Sequence, residues 1–160
     1  MHDYLAAKYG GGRERAKEMN RRMAEQAATV GLTYNFDTAV LGNTFDAHRL
    51  VHMARAAGLE EAAVERVFKA YFTDSLAIAD YDVLARLGGE IGLDPDAVRT
   101  MLAGDQFVAA VQAEADEAIG LGIQGVPCFV IDRRYAISGA QPPEAILEVL
   151  ERVRAESLAA

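Results

Sequence analysis

Cysteine occurs once in this chain, at Cys128, tryptophan is absent, and only four prolines are present. One thiol cannot close an intramolecular disulfide, and it excludes both a four-cysteine zinc site and a dithiol pair within the chain. Basic residues are also in deficit, since 16 Lys and Arg stand against 24 Asp and Glu, a formal net charge of −8. Nucleic acids and anionic membrane surfaces are held through Lys and Arg contacts to phosphate, so neither is an expected partner. No apolar run approaches the ~18–20 residues of a membrane span. Met1-His2-Asp3-Tyr4 lacks the basic-then-apolar pattern of a signal peptide, which makes the cytoplasm the expected address.

The composition that remains is globular. Hydrophobic residues make up 51% of 160 positions, too many for a disordered chain, and the length suits one domain. Such a domain buries roughly two-thirds of the surface its unfolded chain exposes. Helical periodicity dominates up to about residue 120, without a fixed-period repeat. Arg13 to Val30 is rich in Ala, Glu, Arg and Met and reads as a helix that Gly31 ends in a left-handed cap. Thr33-Tyr34-Asn35-Phe36 alternates, as a short strand or an extended connector does. Asn43 is placed to cap a helix through Phe45 to about Ala57, with Ala47, Leu50, Val51 and Ala54 on one face and Gly58 at its end. From Glu60 to Phe72 the residues Val64, Val67, Phe68, Tyr71 and Phe72 form a core-facing stripe, opposite Glu61, Glu65 and Lys69. Further helices are expected from Asp80 to Ile91, from Asp94-Pro95 to about Ala103, and from Asp105 to Gly120. The last of these puts Phe107, Val108, Val111, Ala115 and Ile119 on one side.

The tail changes character. Cys128-Phe129-Val130-Ile131 is a continuous apolar run, which predicts a strand central in its sheet and covered on both faces. Asp132-Arg133-Arg134-Tyr135 turns the chain into Ala136-Ile137-Ser138. Two arginines lack the glycine or asparagine of a two-residue hairpin, so a longer type I turn is expected. Pro142-Pro143 opens a final helix whose Ile146, Val149, Leu150 and Val153 lie at i, i+3, i+4 and i+7, a stripe suited to a sheet face. The expected fold class is therefore mostly α with a small β-sheet. It comprises a mainly helical module over residues 1–122 and a ββα unit over residues 123–160, within a single domain spanning 1–160.

Gly125-Val126-Pro127 with Phe129-Val130, Tyr135 to Pro142, and the upstream run Asn43-Thr44-Phe45-Asp46-Ala47-His48-Arg49-Leu50 together resemble the DsbA-like thioredoxin family, specifically its FrnE-type oxidoreductases. The likeness spans nearly the whole chain. It implies that the helices are an insertion in a thioredoxin-like fold, that Pro127 is the cis-proline, and that Val126 and Pro127 dock an extended protein or peptide thiol substrate. It implies no bound cofactor. In that family a strand, a Cys-x-x-Cys turn, a helix and a second strand precede a segment like Asp3-Tyr4-Leu5-Ala6-Ala7-Lys8-Tyr9-Gly10. Here Met1 stands almost at that point, so the chain is expected to be a fragment lacking the redox half, the alternative being a natural remnant with another role. Cys128 replaces an expected aromatic residue, and the turn at Arg133-Arg134 lacks the usual glycine.

Cys128 carries two readings: a small buried hydrophobe, or a single-thiol nucleophile beside Pro127 with no resolving partner in the chain. His48 and His52, at i and i+4, share a helix face but lack an evident third metal ligand, so no metal site is assigned. Three functions follow. The first is a DsbA-like thiol–disulfide oxidoreductase, inactive as this chain without its dithiol. The second is an isomerase or glutathione-dependent enzyme of the same fold, with glutathione near Pro127. The third is a non-catalytic module that self-associates, as a homodimer through the Cys128–Asp132 strand or through swapped helices, because an incomplete sheet exposes an edge.

Overall fold

The computed structural model describes residues 2–158, which contain eight helices and two strands. The helices are α1 (His2–Tyr9), α2 (Gly12–Ala28), α3 (Phe45–Ala56), α4 (Glu60–Phe72), α5 (Tyr81–Glu90), α6 (Pro95–Ala103), α7 (Val108–Gly120) and α8 (Pro143–Leu158); the strands are β1 (Cys128–Ile131) and β2 (Tyr135–Ser138). No helix among the described residues is long and apolar enough to cross a membrane. The chain forms two compact units, Met1–Gln112 and Ala113–Ala160.

Local chemistry places most of the helix ends in the first unit. Asp80 accepts hydrogen bonds from the backbone N–H groups of Asp82 and Val83, and Asp94 from that of Asp96, with Pro95 in the first turn of α6. Gly31, at φ +80°, closes α2: its N–H donates to the Ala28 carbonyl, and that of Leu32 reaches back to Ala27. The Asn43 side chain accepts from the N–H of Phe45, one position before the first helical hydrogen bond would need it, and Thr44 occupies the cap. Residues 33–36 form a connector rather than a strand. It is tied to the end of α4 by the Asn35 N–H and side-chain amide, which donate to the carbonyls of Phe72 and Thr73.

The core of this unit gathers Leu50 from α3, Val67 and Ala70 from α4, Leu84 and Leu87 from α5, and Val98, Met101 and Leu102 from α6. Close approach is required at Gly88, where a Cβ would come within 2.8 Å of a Val98 methyl. The α4 stripe differs from its expected position: Ala63, Val67 and Ala70 are buried, while Phe68 is 56% exposed. Small alanines sit under the neighbouring helices, which turns the larger ring outward. α7 begins at Val108 rather than Asp105, because Phe107 adopts a left-handed backbone at φ +64°, and no described residue of α7 is fully buried.

One buried cation organises these helices. Arg49, 3% exposed, donates from Nε to the Gln106 carbonyl, from Nη1 to the Asp46 carboxylate and the Leu102 carbonyl, and from Nη2 to the carbonyls of Met101 and Gly104. These bonds use all five guanidinium donors. They satisfy carbonyls left without intrahelical partners at the C-terminus of α6, where the helix dipole also favours positive charge.

In the second unit, β1 pairs antiparallel with β2, Cys128 opposite Ser138 and Ile131 opposite Tyr135. The hairpin departs from its expected form in two respects. β1 is not central or covered on both faces: the sheet has two strands, and Phe129 and Val130, which point to opposite faces, are 45% and 38% exposed. The turn is not type I. Asp132 and Arg133 both have positive φ, +50° and +55°, and the Arg134 N–H donates to the Ile131 carbonyl, as in a type I′ turn. Its handedness matches the twist of the strands, and Arg134 is the extra residue, so that it and Tyr135 both face Ile131.

Replacing Arg49 by methionine leaves the carbonyls of Met101, Leu102, Gly104 and Gln106 without their donor. We expect a loss of about 3–5 kcal/mol in urea unfolding followed by helical circular dichroism. A loss below about 1 kcal/mol would show that water replaces the guanidinium without cost.

Candidate functional site

The residues singled out for substrate docking fall together at the entry to β1. Val126 is 90% exposed, makes no backbone hydrogen bond among the described residues, and is followed by a cis peptide bond to Pro127. The Pro127 carbonyl accepts from the N–H of Gly139, which fixes the segment to the end of β2. Cys128, the next residue, is a free thiol of intermediate exposure. It lines an open cavity of about 380 Å³ together with Gly125, Ser138 and the hairpin residues Arg133, Arg134 and Tyr135. An exposed residue with no backbone hydrogen bond of its own, two positions before a thiol, is an arrangement able to pair with an extended peptide.

Two side-chain contacts fix this hairpin. The Tyr135 hydroxyl donates to the Glu156 carboxylate of α8, and Arg133 pairs with Glu117 of α7. Hydrogen bonds from Tyr135 and then from Arg152 hold the Glu156 carboxyl below its ordinary range, while the same carboxylate pushes the Tyr135 phenol up. The Arg134 guanidinium lies over the Tyr135 ring, 5.5 Å from its centroid.

The two histidines are not brought to a common centre. His48 is exposed and lines an apolar cleft of about 310 Å³ between α3 and α4, with Val51, Val64, Phe68 and Tyr71. His52 stacks against Phe107 at 6.2 Å. No group of three or more potential metal ligands occurs among the described residues. Sequence reasoning passed over Arg49 and the Tyr135–Glu156 contact as functional supports. Arg49 stands among apolar positions of α3, a signal that a buried charge needs partners. Nothing in the local spacing signals the partner of Tyr135, which lies 21 residues away.

The DSBA-like thioredoxin domain family matches residues 6–151, and the chain belongs to that family. Among solved structures, a probable DsbA oxidoreductase from Streptomyces coelicolor is similar, with 38% sequence identity and a TM-score of 0.89. The match covers 95% of this chain and 66% of that one. No curated protein matches.

The Glu156 shift yields a pH prediction. Because its folded-state value is depressed, the contribution of the contact is present above the ordinary glutamate range and is lost as pH falls through the lower folded value. Tyr135→Phe removes the larger cause, so the Glu156 carboxyl is expected to titrate closer to the ordinary value in an NMR pH series. An unchanged midpoint would show that Arg152 alone sets it.

Proposed function

We propose that the chain is the helical and substrate-docking portion of a FrnE-type thiol–disulfide oxidoreductase, with Val126 and Pro127 receiving an extended protein or peptide thiol substrate. The match of the DSBA-like domain over residues 6–151 carries this reading, supported by the 38% identity to a probable DsbA oxidoreductase. Exposure of Val126 beside Pro127 gives the substrate main chain a place to pair. Disulfide exchange with release of product needs an attacking thiolate and a second thiol to resolve the mixed disulfide. The chain has one cysteine, so we assign it docking without turnover.

Insulin reduction in dithiothreitol tests this. The chain is expected to leave the rate at background, while a cysteine-containing extended peptide shifts the NMR signals of Val126 and its neighbours. Turnover abolished by Cys128→Ser would instead make Cys128 a working nucleophile, and an absence of peptide-dependent shifts would remove the docking role.

A further inference from the structure

The cleft between α3 and α4 differs in chemistry from the chain around it. It lies within the first unit and holds about 310 Å³. Charged residues make up 25% of the sequence, yet no carboxylate, ammonium or guanidinium lines this cleft among the described residues. Three aromatic rings contribute to its lining. Phe68 and Tyr71 each meet Phe72 edge to face, with centroids 6.3 and 4.9 Å apart, and Phe68 remains 56% exposed. Val51, Val64 and further aliphatic side chains supply the rest of the apolar lining. Polar groups are few and free. The Thr44 hydroxyl, the His48 imidazole and the Tyr71 hydroxyl line the cleft, and none of the three has a hydrogen-bond partner among the described residues. Thr44 and His48 stand one turn apart at the start of α3, where the His48 N–H donates to the Thr44 carbonyl, so their side chains share a helix face.

Size, lining and charge together narrow the occupant. An apolar cavity of about 150 Å³ takes one benzene ring, so a cleft of about 310 Å³ has room for two fused rings. Aromatic walls favour a planar ring system through offset and edge contacts. A charged ligand would give up its hydration with no counter-charge in the lining to replace it. A neutral oxygen group instead meets side chains that still lack a partner. We propose that the α3–α4 cleft binds an uncharged two-ring aromatic molecule bearing a hydroxyl group, with its rings against Phe68, Tyr71 and Phe72 and its oxygen at Thr44 and His48. This site is separate from the residues proposed to dock peptide and does not depend on them.

The chain has no tryptophan, so the fluorescence of 2-naphthol is read against tyrosine alone. Titrated with the full 160-residue chain, 2-naphthol is expected to bind one-to-one and at least about tenfold more tightly than 2-naphthoate, whose charge the lining cannot pair. Thr44→Val removes a hydroxyl that caps no helical N–H, and His48→Leu removes the imidazole while keeping its bulk. The double variant is expected to weaken 2-naphthol by about tenfold and to leave naphthalene within about twofold, because only the first carries an oxygen. Val64→Phe puts a ring into the cleft and is expected to abolish binding of both. Helical circular dichroism checks that the variants fold. In the unaltered chain, NMR shifts centred on Val51, Val64 and Phe68 locate the ligand without any substitution. No saturable binding, equal affinity for 2-naphthoate, shifts centred elsewhere, or equal losses of 2-naphthol and naphthalene in the double variant would overturn the proposal. So would a dimer of the chain alone that Val64→Phe dissociates, since a second copy would then be the occupant.

Discussion

A guanidinium buried among helices must have every donor matched, and Arg49 meets that condition only because the end of α6 presents its carbonyls to it. The constraint is mutual. Helix α6 stops at Ala103 with carbonyls its own N–H groups cannot reach, and the chain beyond it turns through Gly104 and Gln106, both of which also bond Arg49. Residues separated by more than fifty positions are thereby held in one arrangement. Around that polar anchor Leu50, Leu84, Leu87 and Met101 close a core that is largely aliphatic. The directed bonds fix which helix ends meet, and non-directional burial of the neighbouring side chains supplies most of the driving force.

The second unit is built on the opposite principle. Its order comes from a short antiparallel ladder, a type I′ turn and side-chain contacts such as that between Tyr135 and Glu156, with little buried apolar surface. Val126 and Pro127, the residues proposed to dock substrate, belong to this sparsely covered part. The exposure of Val126 that suits the proposed peptide docking continues along the strand, where Phe129 and Val130 remain 45% and 38% exposed. The proposed docking and the incomplete cover share one physical basis, since backbone groups available to a partner are groups the fold has not paired internally.

Membership of the DSBA-like family gives these features a common setting. A helical module and a ββα unit on one chain are the architecture shared with the Streptomyces coelicolor structure, over almost the whole of this sequence. The single cysteine separates the chain's architecture from the chemistry of a dithiol. Cys128 sits half-buried beside Pro127, in a strand where its neighbours are apolar, and the structure provides it with no second thiol.

Much of this was legible from residue order. The Asp80 and Asp94-Pro95 caps, the Gly31 stop and the 3.6-residue apolar spacing of α3 through α6 act within a turn or two of the chain, so local chemistry alone determines them. The fold class and the family followed from the combination of those helices with the Gly125-to-Pro142 motif. What sequence spacing did not contain was long-range. An apolar strand reads the same whether it has two neighbours or one, so the exposure of Phe129 and Val130 was decided by how many strands the sheet assembles. Phe68 turned outward because Ala63, Val67 and Ala70 already filled the space beneath α4, and the partners of Arg49 and Tyr135 were set by distant segments. Local periodicity records which face prefers to leave water; only the tertiary structure determines whether another element is there to cover it.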